Sequence, residues 1–526
     1  MACRIVARLG LVNTEAKRAG SGPTESSDSA TALSWTVLLE EVYTPCEAHL
    51  RLSAANAGSE GLGLRCHKEQ FRMNVFPYRP PRVVKDIARR LTQQGRKAYI
   101  VGGSLRDHLL GREAGADIDM ASDASPDEIL GLFPRVVPTG IKHGTVTILA
   151  QGMSIEITTF RAEKSYKDGR RPDAVEFLED IHADLARRDF TMNAMALDPL
   201  TGDFIDPFDG RADIVKRLIR SVGDPCERFS EDGLRPMRAV RFAAQLGFAI
   251  EESTLECISK TMETFKKVSM ERLRDELGKI LMSDRASWGL SLLEQTGLLG
   301  ILLPELLAGR GCGQKGDHRF DVLDHLFYSV DAAPKNLVLR LAALFHDIGK
   351  PQAKTGTEQG EVHFHRHELI SASMAAKIMK RLKYPNDRIA EVAHLVRHHM
   401  FNYSEEWSDA ALRRFVAAVG RDTLESLFLL RCADTAGTRR TPPDPRKLDP
   451  LRRRIEKLLA QDSALGLKDL KIDGNDLAQI GIPRGPVMGR ILAELLETVL
   501  DDPAQNEREI LLRIAGGIKG KYGIGD

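Results

Sequence analysis

The chain has 526 residues, enough for about three or four domains of ordinary size. With 42% hydrophobic and 28% charged residues it has the mix of a globular protein. No apolar run nears the roughly 20 residues of a membrane span. Its net charge of +1 excludes a global basic field, so contact with nucleic acid must come from local patches.

Residues 1–72 carry the least pattern, are dense in Ser, Gly, Ala and Thr, and read as a flexible extension. Arg4, Arg8, Lys17 and Arg18 suit a transit peptide or an unstructured leader, and translation from Met73 would omit the segment. From residue 80 the pattern firms. A helix is predicted over 83–94, then a strand at Ala98–Val101 that runs into Gly102-Gly103-Ser104 and a second helix. A glycine turn before a helix start lets a phosphate approach the backbone. A short strand at 117–120 follows, with Asp117 and Asp119 at i and i+2. They fall on one face, while Ile118 points into the core. Side-by-side carboxylates repel unless a cation lies between them, and Mg²⁺ favours hard oxygen ligands plus substrate phosphates. Turn and doublet together read as a nucleoside triphosphate held against metal ions.

A helix at Pro126–Leu132 and strands at 145–149 and 154–160 complete a small mixed α/β unit. On the last strand Glu156 leaves the core, as a third acidic group or as an exposed strand residue. The basic loop 161–171 reads as a solvated loop or a phosphate-contacting arm. Arg188 precedes a helix start that Asp189 is expected to cap, where an arginine can meet a triphosphate bidentately.

Beyond Ser221 the apolar spacing is helical almost throughout, with connections at 307–316 and 442–450. One predicted helix, capped by Ser230 and containing Pro236, carries Asp232, Arg235, Arg238 and Arg241 at every third position. This stripe is either an ion-pair ladder or a reader of bases. An Asp accepts from an exocyclic amine and an Arg donates to a ring nitrogen, so one such pair accepts C and A and rejects U and G. Further on, His346 and Asp347 sit in an apolar helical run, where burial without a partner would be costly. His325 upstream and Asp434 downstream could converge with them on one cation. His367, His398 and His399 are further imidazoles for a second ion or a phosphate, and Lys350 could position a phosphate. A basic run at Arg439, Arg440, Arg446, Lys447, Arg452, Arg453 and Arg454 is a solvated face or an RNA contact. The seven cysteines are scattered, odd in number and without a C-x-x-C pair. They point to reduced thiols in a cytoplasm and argue against zinc fingers or a disulfide framework.

Taken together, VGGSLRD with DID, RRDFTMNAMA, DPFDGRADI, EDGLRPMRAVRF and ERLRDELGKIL resemble the class II tRNA nucleotidyltransferases, the CCA-adding and poly(A) polymerase family. The resemblance runs from about residue 75 to 517. It implies an α+β chain: a small polymerase-beta-like α/β head over 73–220, then an elongated all-helical neck (221–285), body (286–440) and tRNA-binding tail (441–526). It further implies that Gly103, Arg106 and Arg188 contact the nucleotide and that Asp117 and Asp119 hold Mg²⁺. Asp232 and Arg235 would form an amino-acid template, supported by Arg238 and Arg241. The His325, His346, Asp347 and Asp434 set resembles an HD phosphohydrolase centre taking Ni²⁺, Mn²⁺ or Co²⁺. The expected activity is addition of C, C and A to tRNA 3′ ends from CTP and ATP by a cytoplasmic monomer or homodimer. HD-type hydrolysis of a phosphate or 2′,3′-cyclic phosphate on tRNA ends would accompany it. A poly(A) or A-only polymerase is the near rival, and an HD phosphohydrolase with a vestigial head the more distant one. A noncatalytic RNA chaperone comes last.

Overall fold

The computed structural model describes residues 78–112, 117–141, 144–164, 174–177, 180–314, 318–356, 362–460 and 465–524. The side chains of Asp117 and of 161–177 fall outside that set, as do the extension 1–72, Met73, most of the basic loop, and Cys3, Cys46 and Cys66. An amphipathic helix, Arg82–Gln93, buries Val83, Val84, Ile87, Ala88 and Leu91. It leads into a seven-stranded sheet of order β3-β4-β5-β2-β1-β8-β9. These strands are β1 (Ala98–Val101), β2 (Asp117–Ser122), β3 (Val136–Gly140), β4 (Thr145–Ala150), β5 (Met153–Thr159), β8 (Ala196–Leu197) and β9 (Phe204–Ile205). Only β2 and β5 pair in parallel among these neighbours; the rest are antiparallel. Strand alternation does the sorting. Ile118, Met120, Ile155 and Ile157 are buried, whereas Asp119 and Glu156 between them are exposed.

The sequence missed β3, β8 and β9. It also read a loop where β6 (Arg161–Lys164) and β7 (Ala174–Phe177) form a hairpin. Basic residues hide a strand whose partner, not its own hydrophobicity, orders it. The helix Pro126–Leu132 lies where predicted, held by a capping box between Ser125 and Glu128.

Beyond the head nearly all is helix, apart from the small pairs Leu218–Ile219 with Ala249–Ile250 and Lys354–Gly356 with Val362–Phe364. The expected single helix through Pro236 is in fact two, Pro225–Glu231 and Arg235–Leu246. Asp224 caps the first by accepting from Glu227 N, and Ser230 instead bonds Cys226 O inside it. Pro236 lies in the first turn of the second, where a missing N–H costs nothing. The backbone at the break packs closely: a Cβ on Gly233 would stand 2.5 Å from the Thr264 carbonyl oxygen, so only glycine fits there. A disulfide, Cys226–Cys257, ties Pro225–Glu231 to the helix Glu252–Lys260 and corrects the expectation of reduced thiols, while Cys312 and Cys432 are free and buried. Pairing was set by helix packing, which the spacing of cysteines does not report.

Candidate active sites

The first site lies at the β1 turn. Gly102 adopts φ +72° and ψ −134°, a region closed to residues with a side chain. A Cβ there would lie 3.2 Å from Arg188 Nη1 and 3.5 Å from Asp119 Oδ2, so an arginine and a carboxylate converge on the turn. Register sets Asp119 directly beside Glu156 and Asp117 beside Ser154. Asp117 and Asp119 occupy positions two apart, the spacing that returns to one face of a pleated strand. Exposed carboxylate oxygens on adjacent strands are the hard donors that Mg²⁺ takes, so the residues present fit that ion.

The arginines are held from behind. Asp184, almost wholly buried, receives Arg187 at 2.8 Å and Arg188 at 3.1 Å. Burial pushes its carboxyl up, but the two guanidiniums outweigh burial and hold it below the ordinary value. Sequence reading overlooked Asp184, although its i+3 and i+4 spacing to the two arginines was a usable signal. Arg106 donates to Asn193 Oδ1 at 2.7 Å, and Asn193 Nδ2 donates to Asp189 Oδ1 at 3.0 Å. Asp189 Oδ2 in turn accepts Arg238 Nε at 2.8 Å. Asp189 is therefore no helix cap. The expected helix is a single 3-10 turn, Thr191–Asn193, and Asp189 is a buried hub in front of it. Burial raises its carboxyl, yet Arg238 and the Asn193 hydrogen bond prevail and bring it to about 2.

The stripe is not a ladder along one helix. Arg235 Nη1 bonds Glu231 Oε2 and Arg228 O, each at 2.7 Å, and its Nη2 bonds Arg187 O at 3.0 Å. These use three of its five donors. Arg241 pairs with Glu276 at 2.6 Å and lies 3.9 Å over the Phe242 ring. Asp232 sits in the break between the helices, accepting Leu234 N at 3.0 Å and Arg272 Nη2 at 2.8 Å. Asp232 and Arg235 thus have separate supports, Arg272 and Glu231, neither of which the sequence singled out.

The second site lies among the body helices. His325, on Val322–Ala332, brings Nε2 to 3.3 Å from Asp347 Oδ2 and 3.2 Å from Asp434 Oδ1. His346 makes the corresponding approaches at 3.3 Å and 3.4 Å. His346 ends the helix Leu337–Phe345 and Asp347 follows in the turn, so the pair occupies a helix terminus rather than mid-helix. The other carboxylate oxygen, Asp347 Oδ1, lies 3.0 Å from His367 Nε2 and 3.5 Å from His399 Nε2. All six residues are buried, and Asp347 belongs to both clusters, each with ligand atoms within 4.8 Å of one another. Asp347 Oδ1, His367 Nε2 and His399 Nε2 face one another, buried, without a well-directed hydrogen bond, which fits a donor set shaped for a cation.

Burial works against charge on His346, but Asp347 and Asp434 lift it to about 10, whereas burial keeps His399 low. His398, read with His399 in sequence, turns away and packs against His394. Lys350 donates to Asp347 Oδ2 and to Gln314, each at 2.6 Å, so it faces the carboxylate rather than open space. His318, overlooked in sequence, stands edge-on to His325 with burial holding it near 4. The basic run is partly spent inside the fold: Arg452 pairs with Glu425 and Asp449, Arg454 with Asp409, and Arg440 covers Tyr328.

Comparison with known proteins matches a poly A polymerase head domain to residues 98–220. A probable RNA and SrmB-binding site of polymerase A matches 247–309, and a putative tRNA nucleotidyltransferase domain 2 matches 367–515. The CCA-adding enzyme of Geobacillus sp. (strain WCH70) is 35% identical over 425 residues, covering 80% of this chain and 93% of the relative. That of Levilactobacillus brevis is 35% identical over 446 residues, 82% of this chain and 96% of its own. The crystal structure of the Bacillus stearothermophilus CCA-adding enzyme in complex with CTP superposes with TM-score 0.63 at 29% identity, covering 85% of this chain and 99% of that one. Among the described residues no helix is long and apolar enough to cross a membrane.

Proposed function

The chain belongs to the CCA-adding enzyme family and is a nucleotidyltransferase, and from that premise we propose that it extends tRNA 3′ ends with C, C and A from CTP and ATP. The observation that carries this reading is the convergence of Asp119 and Arg188 on the Gly102 turn. Asp117 and Asp119 would hold Mg²⁺, with Glu156 as the third carboxylate on that face. Mg²⁺ bound there neutralises the leaving pyrophosphate and favours the ionised form of the attacking hydroxyl. The RNA 3′-hydroxyl attacks the α-phosphorus in line, and Gly103, Arg106 and Arg188 orient the triphosphate so that pyrophosphate departs opposite. Asp232 accepts from the amino group of C or A, and a remaining Arg235 donor meets the adjacent ring nitrogen. Arg238 and Arg241, committed to Asp189 and Glu276, support that pair rather than touch the base. The test is tRNA ending before the first C, supplied with CTP and ATP singly and together, with products resolved to one nucleotide. Growth by three residues supports the reading; a homopolymer of A refutes it in favour of a poly(A) polymerase.

A second reading concerns the body cluster: a metal-dependent phosphohydrolase acting on terminal or 2′,3′-cyclic phosphates of RNA. The convergence of Asp347 Oδ1, His367 Nε2 and His399 Nε2, buried without a well-directed hydrogen bond, favours it. His325, His346, Asp347 and Asp434 would hold one divalent ion such as Ni²⁺, Mn²⁺ or Co²⁺, and Asp347, His367 and His399 a second. Such ions supply Lewis acidity toward a phosphoryl group. Lys350 and Gln314 fix the Asp347 carboxylate, and Arg431 fixes Asp434 at 2.7 Å. Hydrolysis of a cyclic nucleotide with added Ni²⁺, Mn²⁺ or Co²⁺ is expected, and none with any of these would refute it.

A further inference from the structure

Glu231 and Asp232 sit on a stretch of chain pinned at two points to the same neighbour. Cys226, on Pro225–Glu231, is joined to Cys257, which lies 31 positions further on, in the helix Glu252–Lys260. Gly233 then packs against the Thr264 backbone, just past the end of that helix. Between the pins lie the Arg228 carbonyl and the Glu231 carboxylate, which both hold Arg235, and Asp232 itself. Only the first pin is covalent and reversible. The helix it holds is 7 residues long, too short to persist alone, and Phe229 is its one buried side chain. Its cap, Asp224, and the Arg228 bond to the Val222 carbonyl tie it only to the chain just before it.

We propose that Cys226 and Cys257 are a reversible thiol–disulfide switch that sets how strictly the enzyme prefers CTP to UTP. Cys257 is buried and Cys226 half-buried, so an exchanging thiol or disulfide gains access from the Cys226 side. In oxidation the Cys226 thiolate attacks one sulfur of a low-molecular-weight disulfide and expels its first thiolate; Cys257 then displaces the second. Two protein thiols thus give up two protons and two electrons, and one small disulfide becomes two thiols. An added dithiol runs the exchange backwards. With the bond closed, Glu231 and the Arg228 carbonyl hold Arg235 in one bearing. With it open, their short helix is free to shift, and Arg235 loses the fixed aim that tells one ring edge from another. This rests on the reading of Asp232 and Arg235 as the base-selecting pair, and it adds that the precision of the pair answers to thiol chemistry.

The full-length protein is prepared with dithiothreitol and with oxidised glutathione, and peptide mapping without reductant shows whether Cys226 and Cys257 are linked. Each preparation extends tRNA ending before the first C with CTP or with UTP. Reduction is expected to lower the CTP-over-UTP ratio of kcat/KM at least about threefold, and reoxidation to restore it. Cys226→Ser should hold the ratio at the reduced value whichever reagent is present. The comparison of the two states of the unsubstituted protein needs no variant to fold. Failure of the pair to link under oxidised glutathione, an equal ratio in the two states, loss of all addition on reduction, or a redox response that survives in Cys226→Ser would each overturn the switch and leave the selecting pair intact. No preference for CTP over UTP in either state would overturn both.

Discussion

Single residues set the conditions for chemistry at the β1 turn. Gly102 holds a backbone conformation that costs other residues about 1–3 kcal/mol, and a Cβ there would crowd Arg188 Nη1 at 3.2 Å. Gly102→Ala should therefore lower kcat/KM for CTP by roughly tenfold or more with little change in melting temperature, measured by steady-state nucleotide addition. Asp189 is the residue whose charge the fold uses most. Its carboxyl sits near 2 in the folded chain against 3.8 ordinarily. That difference stabilises the fold by about 2 kcal/mol above pH 4, and the contribution is lost as pH falls through 2. Denaturant titrations should show Asp189→Asn less stable than the parent at pH 6, with the gap closing between pH 4 and pH 2.

At the scale of elements, the break between Pro225–Glu231 and Arg235–Leu246 decides where the selecting side chains stand. Gly233 abuts the Thr264 backbone, so Gly233→Ala should destabilise by about 1–3 kcal/mol, read as a lower urea midpoint, and should loosen discrimination against UTP. The exposed placement of Asp119 and Glu156 was legible in the sequence because a strand's period is fixed at two, and register sets them side by side. Asp232 and Arg235 were legible as residue types, and so were the marks of the break between them, Gly233 and a proline in the first turn of the second helix, which were not read as a helix start. The imidazoles differ. His398 and His399 are adjacent, and only the packing of Asn386–His398 against its neighbours turns one toward Asp347 and the other toward His394. Asp184, Asn193 and Arg272 escaped notice because a supporting role is set by the tertiary partner, which neither a motif nor a spacing names.

At the scale of the whole molecule, the proposed transfer and hydrolysis rest on different residues and should be separable. Asp119→Ala is expected to abolish nucleotide addition and leave hydrolysis of cyclic phosphate unchanged, while Asp347→Ala does the reverse; paired assays on both proteins decide it. Chelation should also act unevenly. Five buried side chains gather around the shared Asp347, so a transition metal held there would tie their helices together; removing it should lower the melting temperature, and Mn²⁺ should restore it.

The line Arg106–Asn193–Asp189–Arg238 ties the side chain proposed to orient the triphosphate to the helix Arg235–Leu246, proposed to select the base. On that proposal, a push that a mismatched base gives the helix would reach Arg106, and thermodynamic reciprocity makes such an influence mutual. Pyrophosphate should therefore inhibit with a different constant when C rather than U occupies the cleft, and Asn193→Ala should make the two constants equal. Accuracy and turnover would then be two faces of one mechanical linkage.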